Sequence, residues 1–255
     1  MPQNKKMIPS PAQQEAICFG EGTMLVLAGP GSGKTAVITQ RIRYLVEERH
    51  ITPSDILTIT FTKAAALEMK QRACQICRGA ENAVFGTFHS VFFQIIRSSS
   101  KFQNYSIMTE QQKLQILRPL LKGKKLDCVQ MSSFCEQFLS DLSFYKNTGR
   151  EREEKAGQKQ TVQKQAGQNQ AEQMQLHELR QAYEQCCRKR WLLDFDDILV
   201  YCHKLLTEDS GLCDRWKNRF RYILIDEFQD INDVQYQIIK LLSANYENLF
   251  VVGDD

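Results

Sequence analysis

The sequence of 255 residues lacks several features that define specialised classes of protein. No apolar run approaches the ~20 residues that a membrane-spanning helix needs, and no apolar stretch of a secretion signal follows the polar start "MPQNKKMIPS". The net charge of +3 is too small to identify a polyanionic partner by itself, although it permits one. These absences predict a cytoplasmic protein with no membrane partner.

The nine cysteines are not expected to form a disulfide framework. Their number is odd, and the chain is much longer than the small secreted domains that depend on disulfides. The pair in "CQIC" at residues 74–77 has the spacing of a zinc or redox motif. No second Cys/His pair with finger spacing accompanies it, so we interpret the pair as two half-buried thiols on a helix.

Strand-like and helix-like patterns alternate at both ends of the chain. Near-continuous apolar runs such as "MLVLA" at 24–28 and "YILID" at 222–226 are typical of parallel strands that helices cover on both faces. Between these regions the apolar spacing is helical, with little strand. We therefore predict an α/β fold whose parallel sheet is interrupted by a mostly helical inserted subdomain. The predicted parts are 1–90 and 207–255 for the α/β subdomain and 91–206 for the insertion.

One stretch of the insertion, residues 149–175, consists almost entirely of Gln, Lys, Glu, Ala and Gly. This composition cannot bury enough apolar surface to offset the entropy of ordering the chain. We expect a solvated helix or a disordered loop there. A tolerated insertion in a surface loop is favoured over an arm that binds nucleic acid.

A phosphate-binding loop is predicted at "AGPGSGKT", residues 28–35, which follows a strand pattern and opens a helix pattern. Its glycines allow the backbone N–H groups to face phosphates beside the positive end of the following helix. Lys34 would bridge the β- and γ-phosphates of ATP, and the hydroxyl of Thr35 would coordinate Mg²⁺. An ordinary glycine-rich turn would contain the Gly-Lys-Thr triplet only by accident. The loop residues predicted to contact the nucleotide are Ala28, Gly29, Pro30, Gly31, Ser32, Gly33, Lys34 and Thr35.

The second apolar run that ends in acids, "YILIDEFQD" at 222–230, supplies the remaining groups of a nucleotide site. Asp226 is placed to hold Mg²⁺, and Glu227 to polarise the attacking water as a catalytic base. Two acids at a strand end are weak evidence alone, because capping residues look the same. Together with the phosphate loop they predict an ATP hydrolase.

Taken together, these motifs resemble the UvrD/Rep/PcrA family of superfamily 1 DNA helicases. The matches occur in the family's order and cover the chain from about residue 10 to its end. The segments that carry the resemblance are "QQEAI" 13–17 (Q motif), "AGPGSGKT" 28–35 (motif I), "TITFTKAAALEM" 58–69 (motif Ia), "GTFHS" 86–90 (motif Ib), "ILIDEFQD" 223–230 (motif II) and "VVGDD" 251–255 (start of motif III).

The resemblance implies a RecA-like P-loop NTPase fold, with "DFDDIL" at 194–199 inside a 1B-like insertion. It also implies that Gln13 reads the adenine ring and that Arg41 retains a nucleotide contact of the family. One departure lies between them, because Ala36 stands where an arginine commonly follows the Walker threonine. Any nucleotide contact made from that position is therefore in doubt.

Single-stranded DNA is the partner that the resemblance implies, and motifs Ia and Ib would line its groove. The role carries over to Phe61 and Thr62, and to Thr87, Phe88 and His89. An aromatic ring offers a stacking platform, and short hydroxyl donors reach phosphate oxygens without reading sequence. From spacing alone, His89 would be interpreted as a capping or core group and Phe61 as core.

The implied activity is that of a 3′→5′ helicase or translocase that couples ATP hydrolysis to unwinding, with the junction of single- and double-stranded DNA as a further partner. Because the chain stops at "VVGDD", 251–255, we expect an N-terminal fragment that lacks the second RecA-like lobe and hydrolyses ATP very slowly. One alternative is a nucleotide-gated DNA- or protein-binding module without unwinding; Glu227 favours the enzyme. Another is the helicase part of a RecB/AddA-like helicase–nuclease.

Overall fold

The computed structural model describes residues 8–121, 128–148 and 165–254. It divides into two compact units. The first comprises the described residues up to Ser98 together with those from Cys202 onward, and the second is Ser99–Tyr201. Over the described ranges, no helix has the length and apolarity needed to cross a membrane.

The secondary structure alternates as the sequence patterns indicate. The strands are β1 (Met24–Leu27), β2 (Ile56–Thr60), β3 (Val84–Thr87), β4 (Ser106–Ile107), β5 (Leu192–Leu193), β6 (Tyr222–Ile225) and β7 (Leu249–Gly253). The helices are α1 (Pro11–Cys18), α2 (Lys34–Glu47), α3 (Lys63–Ile76), α4 (Phe88–Arg97), α5 (Glu110–Leu120), α6 (Cys128–Thr148), α7 (Gln165–Lys189), α8 (Phe195–Glu208), α9 (Ser210–Lys217) and α10 (Asp233–Ser243).

The first unit is built on a five-stranded sheet in the order β1-β7-β6-β2-β3, and every neighbouring pair is parallel. Every residue of β2, β6 and β7 is buried, which explains the unbroken apolar runs of β6 and β7, while β2 also buries Thr58 and Thr60. Each buried Ile, Leu or Val there contributes roughly 1.5–3 kcal/mol. The predicted α/β fold with a parallel sheet is confirmed.

All five strands of this sheet end at the same edge. Leu27 lies opposite Gly253, Val251 lies opposite Ile225, and Ile225 in turn lies opposite Ile59. The loops that follow β1, β2, β3, β6 and β7 therefore emerge together, as in other open parallel sheets that bind ligands at their carboxyl edge.

Most helices of this unit begin at a side chain that accepts a hydrogen bond from the first turn. Helix α2 differs, because Gly33 precedes it and provides no side-chain cap. Its first backbone N–H groups are therefore not satisfied by a capping side chain. The residues that cap α1, α3, α4 and α10 are Ser10, Thr62, Thr87 and Asn232.

The second unit is mostly helical and has its own core, which includes Leu117, Phe138 and Tyr183. The short parallel pair β4–β5 holds residues 106–107 against residues 192–193. Helix α4, which the sequence analysis divided at residue 91, lies wholly in the first unit because its apolar stripe is buried there. Of the stretch 149–175, residues 149–164 lie outside the described part, and α7 begins at Gln165.

Candidate nucleotide-binding site

The loop between β1 and α2 has the backbone conformation of an anion-binding turn. Gly31 and Gly33 adopt φ values of 75° and 89°, a left-handed region that favours glycine because a Cβ would be strained there. Ser32 N donates to Gly29 O at 3.2 Å and closes the turn. The turn leads directly into the uncapped first turn of α2, where N–H groups and the helix dipole favour a phosphate.

The ammonium of Lys34 lies between this loop and a group of acids. It donates to Ala28 O at 3.3 Å and forms an ion pair with Asp254, which follows β7. The hydrogen bond with Asp254 raises the pKa of Lys34, and the charges of Asp254, Glu227 and Asp226 add to that effect against partial desolvation. Lys34 is therefore a fixed cation at the carboxyl edge of the sheet.

The two adjacent acids after β6 have different environments. Asp226 is buried, at 6% exposure, and its Oδ1 accepts from Glu227 N at 3.2 Å. Burial, followed by the charge of Glu227, raises the pKa of Asp226. Glu227 is more exposed and has a left-handed backbone, with φ 55° and ψ 47°. A left-handed backbone is strained at a residue other than glycine, and such strain is common at functional sites.

Gln229 connects the acids to β7, a role that the sequence analysis did not assign. Its Nε2 donates to Glu227 Oε2 at 2.7 Å, and its Oε1 accepts from Asp254 N at 3.0 Å. A Cβ added at Gly253 would lie 2.9 Å from Gln229 Oε1, so a larger residue there would displace the amide from this position. The only signal in the sequence was a glutamine two residues after the predicted base.

The oxygen ligands at this site suit Mg²⁺ held jointly by protein and nucleotide better than a metal ion held by protein ligands alone. Three carboxylates, those of Asp226, Glu227 and Asp254, lie near the single ammonium of Lys34, which leaves excess negative charge. Within the described residues, no group of three or more His, Cys, Asp or Glu side chains is arranged to hold a metal ion. A hard cation would therefore use oxygen ligands from Thr35 and Asp226 and complete its shell with phosphate oxygens and water.

Gln13 lies beside the phosphate loop. Its Oε1 accepts from Ser10 N at 2.8 Å and completes the capping box of α1, while its Nε2 donates to Ser32 O at 2.8 Å. The side chain therefore connects α1 to the loop. Recognition of adenine by Gln13 stays a prediction.

Arg41 is placed differently from the sequence-based expectation. Its guanidinium is buried, at 1% exposure, and lies over the ring of Phe250 at 4.5 Å from the centroid. Burial lowers the pKa of Arg41 to about 10. Both terminal nitrogens donate to backbone carbonyls at the end of α1, so this geometry gives Arg41 a structural role rather than the predicted nucleotide contact. The accepting carbonyls belong to Ala16, Ile17, Phe19 and Gly20, at 2.7 to 3.3 Å.

The motif Ia residues follow β2 at the same edge of the sheet. Phe61 is half-buried, and its ring contacts that of Phe88 edge-to-face at 5.2 Å. Thr62 is exposed, and its hydroxyl accepts from Ala65 N at 3.1 Å as the cap of α3. The Phe61 ring thus packs against Phe88 and remains partly exposed, which a stacking platform requires.

The motif Ib residues are less accessible than expected. Phe88 is 1% exposed and also packs on Phe92, at 5.9 Å between centroids. Thr87 is buried, and its hydroxyl accepts from Ser90 N at 3.2 Å as the cap of α4. Their side chains support Phe61 and α4, so direct DNA contact by Thr87 or Phe88 has no support from this geometry. His89 is half-buried.

A parallel sheet with a Gly-Lys-Thr loop after β1 and two adjacent acids after β6 is the arrangement of the P-loop NTPase class. Residues 10–255 match the family model of the UvrD/REP helicase N-terminal domain. The chain therefore belongs to the UvrD/REP helicase family, which confirms the resemblance found in the motifs.

Curated relatives agree with this assignment. The chain is 36% identical over 251 residues to the putative ATP-dependent DNA helicase YjcD of Bacillus subtilis (strain 168). The aligned region covers 95% of this chain and 31% of the relative. The chain is also 36% identical over 250 residues to the ATP-dependent DNA helicase PcrA of the same organism, covering 96% and 32%. PcrA of Staphylococcus aureus (strain Mu50) is 31% identical over 247 residues, covering 95% and 32%. The chain thus spans about a third of the length of these relatives.

Proposed function

We propose that this chain is the ATP-binding part of an ATP-dependent DNA helicase that translocates 3′→5′ on single-stranded DNA. The observation that carries the proposal is the position of Lys34, between the phosphate loop and the acids that follow β6 and β7. The relatives named as ATP-dependent DNA helicases support the substrate assignment. Preference for the junction of single- and double-stranded DNA, and a role in DNA repair or replication, are proposed from the resemblance.

Nucleotide binding begins with exchange of partners at Lys34. In this structure Asp254 provides the anionic partner of the ammonium. A triphosphate is also negatively charged, so its β- and γ-phosphates replace the carboxylate of Asp254 as the partner of Lys34. The N–H groups of the loop bind the phosphate oxygens. Bound Mg²⁺ would neutralise developing charge on the phosphates, with Thr35 and Asp226 as its protein ligands.

Glu227 is the candidate base for water attack on the γ-phosphate. Its Oε2 accepts from Gln229, which orients the carboxylate and leaves Oε1 to accept a proton from water. A pure binding switch does not need an oriented base, so this hydrogen bond favours the hydrolase over a nucleotide-gated module. Turnover is proposed to use a second RecA-like lobe that supplies arginines to the transferring phosphoryl group.

Single-stranded DNA is proposed to lie across the carboxyl edge of the sheet at motifs Ia and Ib. Phe61 provides the stacking platform, supported by Phe88. Thr62 is exposed and lies at the start of α3, where a phosphate would also meet the positive end of the helix dipole. The exposed and half-buried residues of these motifs therefore carry the DNA contact, and the buried ones hold them in place.

The proposal is tested by the affinity for ATP in the presence of Mg²⁺. Lys34→Ala should weaken binding about ten- to a hundredfold, because a charge-assisted contact to phosphate is lost. Lys240→Ala on the exposed face of α10 is the matched control and should bind like the wild type. Isothermal titration calorimetry measures each affinity. Equal affinities for Lys34→Ala and the wild type, with both folded by circular dichroism, would overturn the nucleotide-site assignment.

A further inference from the structure

A second surface, in the helical unit, combines cations with an exposed aromatic ring. At the end of α7, the four consecutive residues 188–191 are all exposed, and they are Arg188, Lys189, Arg190 and Trp191. We refer to residues 188–191 as the basic–aromatic turn. The proposed nucleotide and DNA site of the first unit uses none of them.

Trp191 has a backbone conformation that bulky residues rarely adopt. Its φ is 56°, in the left-handed region, at the position after a helix where glycine is usual. Trp191 N donates to Arg188 O at 3.1 Å, and Trp191 O accepts from Ser106 N at 2.9 Å. The backbone is thus fixed in this conformation by the helix end and by the β4–β5 pair.

Burial of the side chain does not offset this backbone strain fully, because Trp191 is 50% exposed. Its covered part contacts the ring of Tyr105 edge-to-face at 5.2 Å, and Tyr105 in turn contacts Phe102 at 5.1 Å. Phe102 also contacts Tyr201 at 5.1 Å. A series of aromatic rings therefore packs against an indole that remains half-exposed.

The positive charge beside this indole is only partly neutralised. Arg188 pairs with Glu184 at 3.3 Å, an exposed contact between residues one helical turn apart that contributes little. The carboxylates of Asp194 and Asp197, close in sequence, are occupied by Lys146 at 2.7 Å each. Lys189 and Arg190 are exposed and lie within two positions of Trp191 in the chain.

We propose that the basic–aromatic turn is a second contact for single-stranded DNA, in which an unpaired base stacks on Trp191 while the neighbouring cations bind its flanking phosphates. A half-exposed indole can stack on any base, and exposed cations adjacent to it in sequence can bind phosphates without reading sequence. A duplex offers no unpaired base to this ring except at its ends. The identity of the nucleic acid rests on the proposed helicase function, whereas the surface itself does not.

The chain has two tryptophans, and their different exposure provides a direct measurement. Trp216 is 5% exposed and donates from its indole to Ser98 Oγ at 3.0 Å, while Trp191 is half-exposed. An oligo(dT) single strand of about 16 nucleotides, within the range that such sites cover, should quench the intrinsic fluorescence. Trp216→Phe should keep this quenching and Trp191→Phe should abolish it.

Binding of labelled oligo(dT) by fluorescence anisotropy then measures the two components separately. Trp191→Ala should weaken binding at least about fivefold, whereas Trp191→Phe keeps a stacking ring and should lose less. The double variant Lys189→Ala/Arg190→Ala should lower the salt dependence, the slope of log K against log salt, by about 1.4, since each single-strand phosphate contact contributes about 0.7. The double variant Lys204→Ala/Lys240→Ala removes two exposed cations of the first unit and is the matched control.

Three results would overturn the proposal. The first is an absence of quenching in the wild-type chain at saturating oligo(dT). The second is unchanged affinity and salt slope in the Trp191 and double variants. The third is equal binding of a blunt duplex that is insensitive to Trp191→Ala, which would indicate a phosphate surface without base stacking. ATP affinity is measured in parallel, so that loss of quenching with intact ATP binding rejects this surface alone and leaves the proposed function standing.

Discussion

Each unit of the molecule contains one lysine surrounded by acids, and the two arrangements differ in what surrounds them. In the helical unit Lys146 is bonded at 2.7 Å to both Asp194 and Asp197, and all three side chains are at most 15% exposed. In the sheet unit Lys34 pairs with Asp254, whose side chain is 38% exposed. The first group is closed, and the second is open to a ligand.

The backbone around each lysine decides the difference. Asp194 and Asp197 accept from each other's backbone N–H at 2.8 and 3.1 Å and so cap α8 reciprocally. Lys34 instead follows a left-handed glycine at a helix start without a cap. A lysine beside aspartates therefore stabilises the fold at Lys146. At Lys34 the same residue types lie beside the uncapped N–H groups of α2, which can bind an anion. Sequence composition alone does not separate the two cases.

The largest expected effect is a loss of folding stability when Lys146 is replaced. Lys146→Met leaves two buried carboxylates without their cation and should lower the free energy of unfolding by about 3–5 kcal/mol. Lys34→Met leaves unpaired only Asp254, whose side chain is 38% exposed and can be hydrated, and should change stability little. Urea denaturation followed by circular dichroism compares the two variants. If Lys34→Met were the more destabilising, the assignment of one lysine to structure and the other to binding would be reversed.

The same closed group predicts a pH dependence. Burial, outweighing the attraction of Lys146, raises the pKa of Asp197 to about 6, with the charge of Asp194 adding to the rise. A folded-state pKa above the unfolded value means that the native state holds the extra proton, so the contribution of Asp197 to stability falls as pH rises from about 4 to about 6. Asp197→Asn removes this contribution, so the stability of the wild type relative to the variant should fall across this interval, measured by urea denaturation at each pH. A difference between the two proteins that rises or stays constant across the interval would contradict the assignment.

A smaller effect, on DNA binding, is expected to distinguish Phe61 from the neighbouring Phe88 in the sheet unit. Phe61→Ala should weaken oligo(dT) binding several-fold, as expected for one lost stacking contact, and should cost little stability because the ring is half-buried. Phe88→Ala is the control and should instead destabilise the fold by about 3–5 kcal/mol, since that ring is 1% exposed. Anisotropy and thermal unfolding measure the two properties. Unchanged DNA binding with a large loss of stability in Phe61→Ala would place Phe61 in the core.

The sheet and the phosphate loop could be predicted from sequence because their signals are local. Unbroken apolar runs indicated β1 and β6, and the Gly-Lys-Thr triplet indicated the turn before α2. The Lys34–Asp254 pair was not predictable in this way, because the two residues are 220 positions apart. The same holds for the carbonyls at the end of α1 that receive Arg41, and for the burial of Phe88 under Phe61. These features depend on tertiary contacts that no local pattern encodes.

The central claim is that the acids after β6 divide metal binding from base chemistry, and ATP affinity with and without Mg²⁺ tests it most directly. Asp226→Asn keeps the shape of the side chain but replaces a charged metal ligand with a weaker, neutral amide oxygen, so the gain in affinity on adding Mg²⁺ should be greatly reduced. Glu227→Gln is the matched neighbour and should retain that gain, because its carboxylate is assigned to water rather than to metal. Calorimetric titration of the wild type and both variants gives the comparison. A Mg²⁺-dependent gain that survives undiminished in Asp226→Asn, or that disappears in Glu227→Gln alone, would contradict the account.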